Sequence, residues 1–344
     1  MAEEKKVSIG IPRALFFYDY YPFCKYFFEG LGAKVVLSKK TDSELMQAGL
    51  KQSINEFCIP IKALYAHVLD LKGRVDYIFL PYVITFDKKT FMCPKLIGSP
   101  DIIKNSVDDI QLFSAEIDFN NFYSSLYESL KEIMTKINAN PITLYSVYNE
   151  ALEKQKQFDK FREEGMLFEE ALSKLENKKY AKKNKGNIHI AVVGHPYIIN
   201  DDYISSELIK KLNKKNVWVS TSDMVSMEKI NSELKILEKT PHWMMSNRVL
   251  GAALFYSKKR DIDGIIYVAP FGCSPDSLMK ENMITYVENK KPLLTITVDE
   301  HTGDAGIVTR IEAFLDMIAW KNKKKAGSLS GFFNVNELVA EKKE

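Results

Sequence analysis

The chain has only four cysteines among 344 residues, and it lacks the patterns that define several protein classes. So few cysteines in a chain of this length exclude a dense disulfide framework. No run approaches the roughly 20 apolar residues that a membrane-spanning helix needs, so we expect no association with a membrane. The formal net charge is only +3, which offers no strongly basic face, and we expect no binding to nucleic acid.

Two nucleotide-binding signatures are also missing. There is no GxxxxGKS or GxxxxGKT segment, so we expect no ATP hydrolysis through a P-loop. The GHPY turn at 194–197 follows a strand-like run, but it has no GxGxxG pattern and gives no support for a dinucleotide site. The first residues do not resemble a signal peptide, which together with the few cysteines predicts a cytoplasmic protein.

What is present is one order of strands and helices that occurs twice. Apolar runs with strand character alternate with segments of helical spacing, which indicates βαβ units and parallel sheets. We therefore predict an α/β fold with two Rossmann-like or flavodoxin-like lobes, parallel sheets and a helical insert between the lobes. The matching segments are 7–12, 21–31, 34–38 and 75–80 in the first half, and 188–193, 204–212, 217–220 and 262–268 in the second.

The predicted boundaries place the N-terminal lobe at 1–113 and the C-terminal lobe at 186–325. A helical insert and a lysine-rich hinge occupy 114–185, and a polar tail occupies 326–344. Pro141 separates two helices of the insert, because proline interrupts a helix. Their apolar stripes have helical spacing and consist of Phe122, Leu126, Leu130, Ile133 and Ile137 in the first, and Tyr148, Leu152, Phe158 and Phe161 in the second.

Three of the four cysteines share one setting, since a proline follows each of Cys58, Cys93 and Cys273 within two residues. Open α/β sheets bind ligands beyond the carboxyl ends of their strands, so these thiols can converge on one crevice. Three convergent thiolates can hold an iron–sulfur cluster with one open iron, or a zinc ion. The simpler alternative is three small core residues, which is also our interpretation of Cys24.

A second group of candidate residues follows the strand-like run at 293–298. Glu300 and His301 lie directly after it, and His195 follows the strand at 188–193. Carboxylate and imidazole groups at strand ends are suited to acid/base catalysis, so we interpret these three as candidate catalytic residues. The alternative for the segment at 299–304 is that it caps the helix that follows.

Three further residues are candidates for substrate binding. Arg13 comes just after the first strand, where a guanidinium group can hold a phosphate or a carboxylate. Pairing with a nearby aspartate is the alternative. Tyr82 and Tyr197 also follow strand-like runs, and we place them in the same predicted crevice.

Six short motifs carry a family resemblance. They are IPRAL at 11–15 with YPF at 21–23, CIPIK at 58–62, CPK at 93–95 with SPDII at 99–103, GHPY at 194–197, FGCSPD at 271–276 and DEHTG at 299–303. In this order they resemble the superfamily of 2-hydroxyacyl-CoA dehydratase component D and benzoyl-CoA reductase. Within it, the chain is most similar to the single-chain, activase-related branch, a domain of unknown function.

The resemblance implies a [4Fe-4S] cluster bound by Cys58, Cys93 and Cys273 in a cleft between the lobes. It implies that a separate ATP-hydrolysing iron–sulfur activator supplies one low-potential electron. That electron passes to the thioester carbonyl of an acyl-CoA or a similar small molecule, and the resulting ketyl radical expels a hydroxyl group. The chain would then be a lyase or reductase. The alternatives are a cluster-bearing electron-transfer or regulatory partner without a substrate, and a structural zinc protein.

The number of cysteines limits the cofactor. A double-cubane cluster of the kind found in some relatives needs six ligands, and the chain has four cysteines. We therefore expect one [4Fe-4S] cluster per chain, or a cluster bridged across a dimer. The resemblance implies either a homodimer or a heterodimer with a related subunit.

Overall fold

The structure is a computed structural model that describes residues 6–85, 89–118, 129, 132, 134–137, 139–180 and 186–330. The chain divides into two compact units, Met1–His301 and Thr302–Glu344. The strands of the described residues all lie in the first unit. They are β1 (Ser8–Ile11), β2 (Lys34–Leu37), β3 (Tyr77–Phe79), β4 (Tyr82–Thr85), β5 (Leu112–Phe113), β6 (Glu116–Asp118), β7 (Ile188–Gly194), β8 (Val217–Thr221), β9 (Gly264–Pro270) and β10 (Leu293–Val298).

Helices alternate with these strands along the chain, and the second unit contributes one long helix. They are α1 (Phe17–Gly30), α2 (Ser43–Gln52), α3 (Ile59–Leu71), α4 (Pro94–Ile97), α5 (Ser99–Lys104), α6 (Leu144–Glu163), α7 (Phe168–Leu175), α8 (Pro196–Ile199), α9 (Leu208–Lys214), α10 (Met227–Glu233), α11 (Met244–Ser257), α12 (Ser274–Met283) and α13 (Asp304–Ser330). None of the helices in the described ranges has the length and apolar character needed to cross a membrane.

Two four-stranded sheets carry the fold, and every pairing in them is parallel. The first has the order β2-β1-β3-β5, and the second has the order β8-β7-β9-β10. In each sheet the first strand of that half lies between the second and the third, and the next strand of the sheet lies beyond the third. This arrangement is the beginning of a flavodoxin-like strand order. The predicted α/β fold with parallel sheets is confirmed.

The second sheet shows why its strands read as continuous apolar runs. All seven residues of β9 are buried, as are six of the seven in β7. Strands at the centre of a parallel sheet are covered on both faces by helices, so no alternation of polar residues remains. The main core of this half includes Leu250 of α11, Tyr267 of β9 and Met279 of α12.

Two local features differ from the prediction. The helix expected over 204–212 begins only at Leu208, because Ser206 and Glu207 have φ values of 50° and 52° in the left-handed region. The predicted strand at 75–80 also stopped short of β4, which precedes Cys93 and pairs in parallel with β6 as a separate two-stranded sheet.

The buried face of helix α6 is shifted from the second predicted stripe, because of its four positions only Phe158 is buried, whereas Tyr148, Leu152 and Phe161 are half-buried. Helix α6 buries Val147, Ala151 and Phe158, and Ile137 of the first stripe is also buried. The other predicted positions of the first stripe lie outside the described residues, and so do part of the hinge (181–185) and most of the tail (331–344). These positions are Phe122, Leu126, Leu130 and Ile133.

Candidate functional site

The three proline-associated cysteines occupy the same local position, the N-cap of a helix. Cys58 caps α3, Cys93 caps α4 and Cys273 caps α12. In each case proline stands in the first two helical positions, where its missing N–H costs nothing and its fixed φ favours the helix. The local sequence therefore places all three thiols at the positive ends of helices.

The turn before Cys273 depends on one glycine. Strand β9 ends at Pro270, and Gly272 then takes a φ of 70°, which is easily reached only without a side chain. This turn brings Cys273 directly from the carboxyl end of β9 to the start of α12.

The Cys93 turn is held by backbone hydrogen bonds to both halves of the chain. The N–H of Phe91 donates to the carbonyl of His242 at 2.8 Å, and the N–H of Met244 donates to the carbonyl of Phe91 at 3.0 Å. On the other side, the N–H of Met92 donates to Ile84 in β4 at 2.9 Å. The position of Cys93 is thus set by β4 and by the beginning of α11 together.

The three thiols lie within electrostatic range of one another. Burial is the main cause that raises the pKa of Cys58, and the neighbouring Cys93 raises it further, against a lowering by Lys95 and the Ile61 backbone. Burial also raises the pKa of Cys273, with Asp276, Cys58 and Cys93 adding to the effect. Three mutually repelling thiolates are unfavourable without a cation, and a bound metal centre reverses this balance.

Cys24 is separate from this group. Burial raises its pKa to about 12, and the other thiols make no contribution to this value. Its side chain lines an apolar cavity beside α1.

His195 and Tyr197 lie beside the cysteines. His195 caps α8, and its Nε2 lies 2.9 Å from Oδ1 of Asp276, with both side chains almost fully buried. The ring of Tyr197 stacks on that of His195, with 5.0 Å between centroids. Burial raises the pKa of Tyr197, followed by Asp276 and the thiols of all three site cysteines, so Tyr197 is within range of the whole group.

Asp276 is a site residue that the sequence reasoning missed. It occupies the third position of α12, three residues after Cys273, where acidic side chains are common because they complement the helix N-terminus. That preference gives it a structural explanation from sequence. Its contact with His195 spans 81 residues of chain and is visible only in the fold.

Glu300 is connected to the same helix as Cys58. Its Oε1 lies 2.5 Å from Nζ of Lys62, which is one turn into α3 and has a side chain only 5% exposed. Burial acts to raise the pKa of Glu300, but the hydrogen bond and charge of Lys62 outweigh it and lower the pKa. His301 is exposed, and its backbone N–H donates to Asp299 at 2.9 Å.

Arg13 and Tyr82 form hydrogen bonds with residues outside this group. The Nε of Arg13 donates to the carbonyl of Ser38 at 2.9 Å, and Arg13 lines a polar cavity of about 370 Å³ that also contains Asp201. The hydroxyl of Tyr82 donates to Asp101 at 2.7 Å, and burial together with Asp101 raises its pKa to about 12. The structure therefore brings together the three cysteines, His195 and Tyr197, while these two residues have other partners.

The geometry of the thiols can be compared with possible metal centres. Among the ranges that the structure describes, no three His, Cys, Asp or Glu side chains form a site for a single metal ion. A zinc ion needs its ligands close together around one centre. A four-iron cluster binds each thiolate through a different iron, so its ligands stand further apart. The three thiols are all partly accessible, and cysteine thiolates are the usual ligands of such a cluster.

The fold and the site define a parallel α/β protein with a three-cysteine centre at helix N-termini. The sequence model of the family described as the CoA enzyme activase uncharacterised domain matches residues 8–225. This is more than half of the chain, and the chain belongs to that family. No curated protein matches it. The matched stretch includes Cys58, Cys93 and His195, whereas Cys273 and Glu300 lie beyond it.

The family supports the activase-related part of the resemblance. The more specific assignment to dehydratase component D stays a prediction, as does the cofactor.

Proposed function

We propose that Cys58, Cys93 and Cys273 hold one [4Fe-4S] cluster, and that the protein works with it in acyl-CoA chemistry. The observation that carries this proposal is the convergence of three thiols from three separate helix N-termini around Tyr197. When bound, such a cluster supplies one-electron transfer at low potential and an open iron site for a ligand oxygen.

The residues around the thiols support binding of such a group. The backbone N–H groups of Ile61 and Asp276 act to lower the pKa of Cys58 and Cys273, respectively, and the ammonium group of Lys95 also lowers that of Cys58. These effects oppose the burial that favours the protonated thiols. A cluster binds thiolates and not thiols, so the cysteines must lose their protons when it binds. The helix N-termini already help to stabilise these thiolates.

His195 and Tyr197 are the groups best placed to act on a bound substrate. The carboxylate of Asp276 accepts a hydrogen bond from Nε2 of His195, which fixes the imidazole ring and leaves Nδ1 without a hydrogen-bond partner. In the proposed reaction, this pair and the Tyr197 hydroxyl orient an acyl thioester or similar small molecule and handle its proton. Glu300 positions the start of α3 through Lys62.

The complete proposal is radical dehydration or reduction of an acyl-CoA by a lyase or reductase of the dehydratase type. The electron donor is a separate ATP-hydrolysing iron–sulfur activator, and the working unit is a homodimer or a heterodimer with a related subunit. The lack of a P-loop in this chain is consistent with a separate activator.

A second candidate is a role on the activating side, as a cluster-bearing electron-transfer or regulatory partner without its own substrate. The description of the family as a CoA enzyme activase favours this alternative. The two candidates differ in whether an acyl-CoA interacts with the cluster of this chain.

The first experiment is anaerobic purification with quantification of iron and sulfide, followed by EPR after reduction with dithionite. We expect about four irons per chain in the wild type, loss of iron in Cys93→Ser, and full iron in the matched control Cys24→Ser. Equal loss in both variants, or zinc in place of iron, would refute the ligand assignment.

The same samples separate the two candidates. A change in the EPR signal on adding acyl-CoAs supports the enzyme, and it would be followed by an assay with an activator. An unchanged signal, combined with electron transfer to another acyl-CoA enzyme, supports the partner role.

A further inference from the structure

A large apolar cavity lies beside α1 at the carboxyl ends of β1 and β3. Its volume is about 320 Å³, and its walls include Ile11, Phe17, Cys24, Phe28, Leu80 and Leu152. Protein cores contain few voids larger than a water molecule. A volume of this size falls in the range of roughly 300–1,000 Å³ that is typical of small-molecule sites. The location is also the end of a parallel sheet where ligands bind.

Three of the polar side chains in the wall already have hydrogen-bond partners within the protein. Gln155 donates to the carbonyl of Asp19 at 2.9 Å and accepts from the N–H of Phe23 at 3.2 Å. Ser99 donates to the carbonyl of Leu96 at 2.9 Å, and Ser129 accepts from the N–H of Glu116 at 3.0 Å. Since these groups need no further partner, the cavity selects for hydrocarbon over a polar ligand.

A second cavity of about 220 Å³ adjoins the first, because Phe16 and Tyr20 line both. Met92, the neighbour of Cys93, also lines it. Its charged walls are Asp19, Asp159, Glu163 and Asp223, with one guanidinium from Arg248. Asp19 pairs with Arg248 and Asp223 pairs with the nearby Arg162, so Asp159 and Glu163 remain as excess negative charge and disfavour a negatively charged end group at this side.

We propose that the apolar cavity binds the hydrocarbon part of a neutral small molecule, whose polar end points towards the acidic cavity beside Met92. This site goes beyond the proposed iron–sulfur centre, because its binding chemistry requires no metal.

Calorimetric titration of the full chain with straight-chain alcohols from butanol to decanol tests the inference. We expect saturable binding whose affinity rises about fourfold per added methylene until the cavity is filled. At pH 8 the carboxylate of the same chain length should bind at least tenfold more weakly than the alcohol.

Four variants sharpen the test. Cys24→Phe should fill the cavity and abolish binding, whereas the matched control Cys24→Ser keeps the volume and should bind like wild type. Leu152→Phe reduces the volume from another helix, so the test survives if Cys24→Phe does not fold. Cys93→Ser should bind alcohols normally, which separates this site from the fate of the cluster. Absent or non-saturating binding, affinities independent of chain length, or wild-type binding by folded Cys24→Phe and Leu152→Phe would overturn the proposal.

Discussion

A buried ion pair between Arg162 and Asp223 offers a quantitative test of how the insert is attached to the second half. Nη2 of Arg162, near the end of α6, lies 2.5 Å from Oδ2 of Asp223, and the two side chains are only 3% and 5% exposed. Arg162 also donates to the Thr221 hydroxyl at 3.0 Å, and Asp223 accepts from Asn200 at 2.9 Å. The perturbation is Arg162→Met, which keeps apolar length and removes the charge.

The magnitude follows from the pKa of Asp223. Burial acts to raise this pKa, but the charge and hydrogen bond of Arg162 outweigh it and lower the pKa from 3.8 to about 2. A fall of nearly two pH units corresponds to about 2 kcal/mol of stability. Because the folded-state pKa is depressed, this contribution is present above about pH 4 and is lost as the pH falls through 2.

Removing Arg162 should cost more than that, about 3–5 kcal/mol at pH 7, because a buried carboxylate is left without a counter-ion. Burial then dominates the pKa of Asp223 and should raise it above 3.8. The sign of the pH dependence therefore reverses, and the variant should lose stability as the pH rises from 4 to 7.

Urea unfolding at pH 4 and pH 7 measures both effects. The double variant Arg162→Met with Asp223→Asn should be more stable at pH 7 than Arg162→Met alone, since the unpaired charge is gone. Lys156→Met breaks an exposed pair with Glu153 and should change stability by less than about 1 kcal/mol. A loss below 1 kcal/mol in Arg162→Met at pH 7, or no rescue in the double variant, would refute this reasoning.

Two other groups give predictions of the same kind. Burial raises the pKa of Asp159 to about 6, so the wild type should lose stability as the pH rises from about 4 through 6. Because Asp159 is nevertheless exposed and solvent screens its charge, Asp159→Asn should exceed wild type by less than about 1 kcal/mol at pH 8 and match it at pH 4 in urea unfolding. An equal difference at both pH values would contradict this. Glu300→Gln should lower the free energy of unfolding by about 1–3 kcal/mol in the same assay. The reason is that Lys62, whose side chain is only 5% exposed, loses its counter-ion. Glu153→Gln at the exposed pair is its control, and equal effects would count against a role for burial.

Sequence reasoning was most successful where the signal is local. The prolines after Cys58, Cys93 and Cys273 predicted breaks in regular structure, and each proline indeed stands in the first turn of a helix capped by its cysteine. The strand at 293–298 matches β10 residue for residue. Such features depend on a few neighbouring residues, since proline geometry and apolar periodicity act over one or two turns.

The partners of the site residues were beyond the same reasoning. Glu300 meets Lys62 across 238 residues, and His195 meets Asp276 across 81. No spacing rule links positions so far apart. Arg13 and Tyr82 were grouped with the site because they follow strands, yet their hydrogen bonds go to Ser38 and Asp101.

The repeated strand–helix pattern was enough to determine a parallel α/β fold, because apolar runs and helical stripes record which faces of each element are buried. The identical order of strands in both sheets, with each first strand between the second and the third, emerged only from tertiary pairing. That order decides which strand ends are neighbours within each sheet. The meeting of Cys58, Cys93 and Cys273 around Tyr197 depends on contacts between distant segments, and only the packed structure brings those segments together.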